Sequence, residues 1–384
     1  MHFKSYWMKI KLFALAILFV AIFQACTSSS FKQNIELKAS EPGLIKEVDS
    51  IVIHKMNQYN IPGLSIGIIK NDSIIYSKGY GIRSIKNRGL VTENTVFHTA
   101  SISKLFTAVA IMKLAEQNAL RIDDKLVDIL PDLLYNDKRV KEISIKNLLN
   151  HTSGLPDIGN YHWENYNQSD NSLKEYVLGL SLQLESEPNT EYHYSNLGYD
   201  ILGHVIEKAS GTSFDDFMKK HILNPSGMHQ SDFRHFKIAD SLQTAPHSKH
   251  WLSGNVYTRK TYPYTREHAA SSTLNSSSKE LSKWMISFLQ LLENPKNGKN
   301  YAAMLAPSFE SYPYMGLGFQ LGKINAKNTI GHYGGDKGFR SYLLMIPEEK
   351  IGLVVLANCD YHEDFRQEIL HPIAKRMLSK YKEH

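Results

Sequence analysis

The strand-like segments of this chain lie near its two ends, and helical or irregular segments fill the middle. Two strands are predicted at Leu64 to Lys70 and Ser73 to Lys78, joined at Asn71-Asp72, a pair that tolerates tight turns. Later strands are predicted at Gly316 to Lys323, Thr329 to Tyr333, Phe339 to Ile346 and Ile351 to Ala357. We therefore expect an α/β fold of the α+β type, in which one antiparallel sheet is built from the N- and C-terminal segments and flanked by helices.

The middle of the chain predicts a mostly helical subdomain, at about residues 105–310, inserted between the two groups of strands. Helices are predicted at Pro42 to Tyr59, Ser101 to Gln117, Ile143 to Asn150, Ser172 to Leu180, Asn196 to Ala209, Ser277 to Leu292 and Glu363 to Lys380. Residues 45–380 contain no linker, so we expect a single domain there. The segment Ser231 to His268 has no clear period, and it would line the mouth of a pocket or form a solvated loop.

The first residues of the chain read as an export signal. Lys4, Lys9 and Lys11 precede an unbroken apolar run from Leu12 to Phe23. That run is about 12 residues long, whereas a bilayer span takes about 20. A short membrane anchor helix is the alternative, but the charged flank and the length fit a signal peptide over residues 1–25 better.

The end of this segment, Phe23-Gln24-Ala25-Cys26, resembles the cleavage box of bacterial lipoproteins. The resemblance implies that the thiol of Cys26 carries a diacylglycerol and that residues 26–44 form a lipidated tether. Several acyl chains on one residue are enough for stable anchoring. We therefore expect an exported protein, anchored to a bacterial membrane and facing the periplasm or the cell exterior.

Composition excludes several classes of protein. Once Cys26 is modified, only Cys359 remains, so the mature chain can form no intramolecular disulfide. The formal net charge of +6 includes three leader lysines, which leaves +3 on the mature chain and gives no support for nucleic-acid binding. We also expect no metal and no cofactor, because the sequence has no His-Glu-x-x-His motif.

Ser101 and Lys104 form the first candidate catalytic pair. Ser-x-x-Lys also occurs at Ser29, Ser276 and Ser379, so the spacing alone is weak evidence. In the predicted helix, however, Lys104 lies on an apolar face, whereas a solvent-facing lysine would lie among polar residues. A buried lysine has a lowered pKa and can act as the base that activates a serine, although a lysine that merely reaches past apolar groups to solvent is the alternative. At the helix N-terminus, the Ser101 N–H could also bind an oxyanion.

Tyr194-Ser195-Asn196 is the only Tyr-x-Asn in the chain. In a loop that enters a helix, the phenol could relay a proton and the carboxamide could fix a substrate amide. The alternative is that Ser195 or Asn196 serves only as the N-cap of the helix.

The third element is Gly331-His332-Tyr333-Gly334-Gly335, at the end of a predicted strand. Its glycines would let the backbone approach a ligand, and the Gly335 N–H could supply the second half of an oxyanion hole. His332 could bond or charge-pair a substrate group, and no second metal ligand stands at a suitable spacing near it. A strand end that is glycine-rich for structural reasons alone is the alternative.

In this order, Ser101 to Lys104, Tyr194 to Asn196 and His332 to Gly334 resemble the three catalytic elements of the serine β-lactamase and penicillin-binding-protein superfamily. The segment Ile143 to Pro156 is also similar to that family, and the likeness runs from about residue 45 to 378. A tyrosine at the start of the middle element is the form found in class C β-lactamases and in their carboxypeptidase, D-aminopeptidase and esterase relatives.

The resemblance implies that Ser101 is the nucleophile and that Lys104 and Tyr194 share proton transfer. It implies that Asn196 contacts the substrate and that the N–H groups of Ser101 and Gly335 hold the oxyanion.

Two positions depart from the family pattern. His332 stands where the family has a cationic lysine, which weakens recognition of a substrate carboxylate. Ala269-Ala270-Ser271-Ser272 stands where relatives commonly have a Gly-Gly turn, which affects only the local loop.

We therefore expect a cell-envelope serine hydrolase that forms an acyl-enzyme on a peptide, D-amino-acid or small ester substrate. A true β-lactamase is one alternative, and the other is a sensor or scaffold that binds β-lactams or peptidoglycan without turnover.

Overall fold

A computed structural model describes residues 42–362 and 365–380 of the 384-residue chain. The predicted signal peptide over residues 1–25, the lipidation site at Cys26 and the tether as far as residue 41 lie outside the described residues.

The strands of the described residues fall into one large sheet and three short pairs. Their bounds are β1 Gly63–Lys70, β2 Ser73–Gly81, β3 Phe97–His98, β4 Leu134–Tyr135, β5 Ser181–Leu182, β6 His247–Lys249, β7 Val256–Thr258, β8 Asn275–Ser276, β9 Gln320–Ile324, β10 Lys327–Asp336, β11 Phe339–Ile346 and β12 Ile351–Ala357.

The helices lie mostly between β2 and β9. Their bounds are α1 Pro42–Tyr59, α2 Ser103–Glu116, α3 Leu126–Ile129, α4 Ile145–Leu149, α5 Ser172–Gly179, α6 Asn196–Ser210, α7 Phe214–Met218, α8 Ala269–Ser272, α9 Ser278–Leu292, α10 Gly298–Ala302 and α11 Phe365–Lys380. None of these helices combines the length and the apolar content that crossing a membrane would require.

The large sheet joins the N-terminal and C-terminal groups of strands. It has six strands in the order β2-β1-β12-β11-β10-β9, and the pairs between neighbouring strands are antiparallel. Strand β1 pairs with β12 from Leu64↔Ala357 to Lys70↔Ile351, so the first and last strands are neighbours inside the sheet. The predicted fold class is thereby confirmed.

The two faces of the sheet carry different neighbours because side chains alternate along each strand. Ile66 and Ile68 of β1 belong to a buried apolar cluster that also contains residues of α1 and α11. On the other face, a Cβ at Gly67 would lie 2.3 Å from Ser282 Oγ in α9. Glycine at this position therefore lets the backbone of β1 approach α9 closely.

Helix α2 is buried over most of its length, as the sequence predicts. Its Thr107 hydroxyl donates to the carbonyl of Ala270 in α8 (2.8 Å). Ala108, one residue further on, lies against Gly318, where a Cβ would come within 2.4 Å of the Ala108 Cβ. The helix that carries Lys104 is therefore enclosed by the middle segment on one side and by the chain leading into β9 on another.

Several element bounds differ from the sequence predictions. The helix predicted from Ser101 begins at Ser103 and is preceded by a 3₁₀ turn, Ala100–Ile102. The strand predicted from Gly316 begins at Gln320, because the Gly318 N–H donates to the Leu149 carbonyl (3.1 Å) and not to the sheet. The strand predicted to end at Tyr333 continues to Asp336.

The segment 231–268 has no long regular element, but much of it is buried. Tyr264 and Thr265 are fully buried, whereas Trp251 and Leu252 at the tip of the β6–β7 hairpin are exposed. The segment thus contains many buried residues and one exposed hairpin.

Candidate active site

Ser101 lies in the 3₁₀ turn that leads into α2. The preceding residue, Ala100, has φ of +49°, a left-handed conformation that non-glycine residues seldom adopt. The Ile102 N–H already bonds the Thr99 carbonyl (3.3 Å). Because Ser101 precedes Ile102 in the turn, no carbonyl within the turn can accept its N–H. The Ser101 side chain remains partly exposed.

Lys104 lies one helical turn beyond Ser101 and is completely buried. Its ammonium donates to Ser101 Oγ (3.0 Å), to Asn196 Oδ1 (2.5 Å) and to the Ser271 carbonyl (2.8 Å). The structure therefore excludes the interpretation of Lys104 as a side chain that reaches solvent. Three hydrogen bonds on one buried amine fix its position and its orientation.

Burial lowers the pKa of Lys104 to about 8, against the charges of Asp200, Asp336 and Asp157, which raise it. Two of its partners, Asn196 Oδ1 and the Ser271 carbonyl, can only accept hydrogen bonds. When the amine is neutral, its two remaining hydrogens stay with those acceptors. The lone pair then faces Ser101 Oγ, which is the arrangement that a general base for this serine requires.

Tyr194, in the loop that leads into α6, contacts the same hydroxyl. Its OH donates to Ser101 Oγ (3.1 Å). Burial raises the pKa of its phenol, the hydrogen bond with Ser101 lowers that pKa, and the charges of Asp157 and Asp336 raise it further. The phenol is therefore protonated at neutral pH. The His151 ring packs on the Tyr194 ring, with the centroids 4.3 Å apart.

The segment Tyr194 to Asn196 combines a helix cap with two side chains that face the site, and the Asn196 amide is bonded to Lys104 and Asp157. Ser195 is the N-cap of α6, because its side chain accepts the Gly198 N–H (3.0 Å). Tyr194 and Asn196, on either side of this cap, are directed at Ser101 and Lys104.

Asn196 is held by Asp157, a residue that the sequence interpretation missed. The Asn196 Nδ2 donates to both carboxylate oxygens of Asp157 (3.0 and 3.2 Å), and its backbone N–H donates to Asp157 Oδ1 (2.8 Å). A carboxylate only accepts hydrogen bonds, so it turns the amide NH₂ towards itself and the amide oxygen towards Lys104. The available signal was position, since Asp157 directly follows the segment Ile143 to Pro156.

Ser271 contributes its backbone carbonyl from the short helix α8. Its N–H donates to Asp200 Oδ1 (3.2 Å), and Asp200 Oδ2 lies 2.7 Å from His268 Nδ1. The segment Ala269–Ser272, which departs from the family pattern, is thus a helical turn fixed by a buried carboxylate–imidazole pair. It supplies one of the two acceptors that orient Lys104.

Strand β10 passes beside the turn that holds Ser101. A Cβ at Gly334 would lie 2.2 Å from the Thr99 carbonyl oxygen and 2.1 Å from Ser341 Oγ, so only glycine fits there. Pairing of β10 with β9 ends at Gly331↔Gln320. The Tyr333 N–H points to that side, because it donates to Gln320 Oε1 (3.0 Å). N–H groups two residues apart point the same way in a strand, so the Gly335 N–H also points to this open edge.

His332 is buried, with its ring centroid 6.3 Å from that of Tyr194. Its Nδ1 lies 2.5 Å from the Tyr333 carbonyl, which can only accept, so Nδ1 carries the hydrogen. Burial lowers the pKa of His332 to about 3, with a further lowering by the Lys104 charge and an opposing effect of the Tyr333 carbonyl. The ring is therefore neutral, and its Nε2 is a buried acceptor without a hydrogen-bond partner.

The structure thus brings Ser101, Lys104, Tyr194 and Asn196 into one hydrogen-bonded group and places His332, Gly334 and Gly335 on the strand beside it. A nucleophile, a buried amine, a protonated phenol and two N–H donors are the components of covalent acyl transfer. Among the described residues, no group of His, Cys, Asp and Glu could hold a metal ion.

Comparison with known proteins points to one family. A family model described as Beta-lactamase matches residues 48–375. The chain is 28% identical over 333 residues to Protein flp of Staphylococcus aureus, covering 82% of this chain and 63% of flp. It is 27% identical over 318 residues to Penicillin-binding protein 4* of Bacillus subtilis, covering 77% of this chain and 68% of that protein. The chain therefore spans less than two thirds of the length of flp.

Solved structures show the same likeness. The octameric penicillin-binding protein homologue from Pyrococcus abyssi superposes with a TM-score of 0.75 at 28% identity, covering 88% of this chain and 77% of that one. A crystal structure of SurE shares the fold, with a TM-score of 0.73 at 20% identity over 87% of this chain and 76% of that one.

Proposed function

The chain belongs to the beta-lactamase family, and from that premise we propose that it is a serine hydrolase of the cell envelope that cleaves an ester or amide bond through an acyl-enzyme on Ser101. The observation that carries the proposal is the position of the Lys104 amine. It is buried, it is 3.0 Å from Ser101 Oγ, and its other two bonds go to obligate acceptors.

In the proposed acylation step, neutral Lys104 takes the proton from Ser101 Oγ as this oxygen attacks the substrate carbonyl carbon. The carbonyl oxygen becomes an oxyanion and is bound by the N–H groups of Ser101 and Gly335. The intermediate then collapses, the bond to the leaving group breaks, and Tyr194 relays the proton to that group. The leaving group departs as an amine or an alcohol.

In the proposed deacylation step, water attacks the acyl carbon and Ser101 Oγ leaves. Tyr194 and Lys104 carry the proton of the attacking water back to Oγ, which restores the free enzyme. An amine in place of water would give acyl transfer by the same route.

The proposed substrates are peptides, D-amino-acid derivatives or small esters rather than β-lactams. A β-lactam or a D-Ala terminus carries a carboxylate, and a neutral His332 offers it no positive charge. We also propose that Cys26 is lipidated and that the hydrolase domain acts on the outer side of a bacterial membrane. Support for this part comes from the sequence of residues 1–26.

The test is a panel of p-nitrophenyl esters, D-amino-acid peptides and β-lactams assayed on the full-length protein. Ser101→Ala is expected to lower kcat/KM by at least about 1,000-fold for every substrate that is turned over. Ser276→Ala is the matched control, because Ser276 also has a lysine three residues on, but its hydroxyl bonds Ser231 and the Ser277 carbonyl instead of the groups around Ser101. Full activity of Ser101→Ala would overturn the proposal, and rapid nitrocefin turnover would identify a β-lactamase.

A further inference from the structure

The β6–β7 hairpin exposes apolar side chains to solvent. Within the described residues, seven large apolar side chains are exposed, and three of them, Trp251, Leu252 and Tyr257, lie on this hairpin. Trp251 is 85% exposed and Leu252 is 73% exposed, both at its tip. Single exposed apolar residues are normal, but a tryptophan and a leucine side by side at a projecting tip indicate a contact surface.

The hairpin tip is held in shape by its own backbone. The His250 N–H donates to the Asn255 carbonyl (2.8 Å), and the Gly254 N–H donates to the His250 carbonyl (2.9 Å). Gly254 has φ of +69°, which glycine adopts without strain. At the base of the hairpin, His247 is fully buried, with its Nδ1 3.0 Å from the Asn358 carbonyl. The tip is therefore preformed, so little conformational entropy is lost when it binds.

Basic residues surround the base of this hairpin. The loop 83–90 contacts it, because the Ile85 N–H donates to His247 Nε2 (3.2 Å). Segments 82–92 and 245–262 together contain six lysines and arginines and no aspartate or glutamate. Lys86, Arg88 and Lys260 are exposed, and so is Leu90 in the same loop. We call residues 83–90 and 247–260 together the basic–aromatic face.

Three carboxylates from neighbouring segments lie near the basic–aromatic face. Asp360 accepts hydrogen bonds from the Ser248 hydroxyl and the Gly338 N–H, and it lies 3.7 Å from Arg259 Nη1. Glu93 lies 3.7 Å from Lys279, which balances its charge. Asp240 is exposed, and its backbone carbonyl accepts from Arg83 (3.3 Å). Within the described residues, the six cations therefore outnumber the carboxylates beside them.

This combination of side chains fits a lipid surface. Tryptophan and tyrosine favour the boundary between headgroups and acyl chains, and leucine adds apolar area that can be buried there. Lysine and arginine around such a tip are attracted to anionic headgroups. A stable protein partner would need about 1,000 Å² of complementary surface, whereas a narrow projecting tip can enter a fluid layer of headgroups.

We propose that the basic–aromatic face docks on membranes that contain anionic phospholipid, with Trp251 and Leu252 inserted among the headgroups. The hairpin also contacts the turn that follows Gly335, since the His247 N–H donates to the Gly338 carbonyl (3.4 Å). Docking therefore orients the Ser101 site relative to the membrane. The proposal depends neither on acylation of Ser101 nor on a lipid at Cys26.

The test measures whether Trp251 enters the lipid. The full-length protein with Cys26→Ser, which removes the proposed acyl chains, is mixed with vesicles of brominated phosphatidylglycerol or brominated phosphatidylcholine. Bromine quenches tryptophan fluorescence on contact. The chain has four tryptophans, so the signal of Trp251 is the difference in quenching between this protein and the same protein with Trp251→Phe. This difference should be at least about fivefold larger with phosphatidylglycerol, and added salt should reduce it.

Charge variants assign the preference to the basic–aromatic face. Lys86→Gln and Lys260→Gln should each raise the phosphatidylglycerol concentration that half-quenches Trp251 by about fivefold. Lys323→Gln is the matched control. Lys323 is exposed and pairs with Asn328 at the start of β10, whereas Gly338 follows the other end of that strand. Its variant should leave the titration unchanged. Because all three lysines are at the surface, thermal unfolding should be the same in every variant.

Three results would overturn the proposal. One is an unquenched Trp251 on phosphatidylglycerol vesicles that sediment with the protein, and this result would favour a protein partner for the tip. The second is equal quenching by the two lipids. The third is an equal effect of Lys86→Gln and Lys323→Gln. None of these results involves the reactivity of Ser101, so the proposed acyl-enzyme function would stand in each case.

Discussion

At the scale of single residues, the partners of Lys104 decide where its lone pair can point. Asn196 Oδ1 and the Ser271 carbonyl hold two of its hydrogens, which leaves the third position for Ser101 Oγ. Burial lowers the pKa of this amine to about 8, close enough to neutrality for a useful fraction of neutral base. The same burial makes the protonation state of Lys104 the main determinant of activity with pH.

The labelling of Ser101 by a neutral fluorophosphonate should rise with pH through about 8, because protonation below that value removes the lone pair. Below the midpoint, the rate should fall about tenfold per pH unit. Lys104→Arg keeps a positive charge but supplies no base in this range, and it should show a low rate without this rise. A wild-type midpoint near the ordinary lysine pKa of about 10.4 would contradict the assignment.

Asp157 provides a second prediction, since it orients Asn196 and its charge raises the pKa of Lys104. Without that carboxylate, the amide of Asn196 can turn its NH₂ towards the Lys104 amine. In Asp157→Ala, the plateau rate of Ser101 labelling should fall about 10- to 100-fold. The midpoint should also move to lower pH, because a charge that favoured the ammonium is gone.

The measurement is a full pH profile of labelling for Asp157→Ala beside Asp132→Ala, which should match the wild type. A purely structural role for Asp157 would lower the amount of labelled protein without moving the midpoint.

At this scale, the sequence indicated which side chains would lie together where they belong to a spaced motif, and their catalytic roles stay a prediction. Ser101, Lys104 and Tyr194 were found this way, and the structure places them within hydrogen-bonding distance. Asp157 and Ser271 were missed for physical reasons. Asp157 lies in an irregular loop, and Ser271 contributes a backbone carbonyl, which every residue has and no sequence pattern distinguishes.

At the scale of elements, the contact between β10 and the Ser101 turn fixes the distance between the two oxyanion donors. Gly334 makes that contact, with its α-carbon facing the Thr99 carbonyl. The sequence placed this glycine pair at a strand end, but the strand continues to Asp336. A glycine has no side chain, so an alternation of apolar and polar side chains could not show that the strand continues through these two glycines.

Gly334→Ala should push β10 away from the turn, because its Cβ would lie 2.2 Å from the Thr99 carbonyl oxygen. Ser101 labelling should then fall by about 100-fold or more. Gly335→Ala is the matched variant, since its Cβ would meet only the Arg340 side chain, at 3.2 Å, and its N–H remains. It should lose less than about tenfold. Equal losses in the two variants would show that the close approach at Gly334 does not position the site.

At the scale of the whole molecule, the first and last strands pair inside one sheet, as the hydrophobic runs predicted. The last strands are the easiest part to predict, because each is a short apolar run bounded by turn residues. The middle of the chain is harder to predict from sequence. Residues 231–268 have no period, since buried side chains there come from turns and short bridges that follow no regular spacing.

The proposed lipid anchor gives a prediction for the intact protein in a bacterial host. Incorporation of an alkynyl fatty acid should label the wild type and Cys359→Ser equally, because Cys359 is buried in the domain. Cys26→Ser should be unlabelled. These are the two cysteines of the chain, so the pair of variants is a complete control. Labelling of Cys26→Ser at the wild-type level would contradict the proposed anchor.

The central claim is that Ser101 becomes covalently acylated, and peptide mapping by mass spectrometry after fluorophosphonate treatment tests it most directly. The account predicts one adduct, on the peptide that contains Ser101, in the wild type and in Ser276→Ala, and none in Ser101→Ala. An adduct on any other serine, or undiminished labelling of Ser101→Ala, would contradict it.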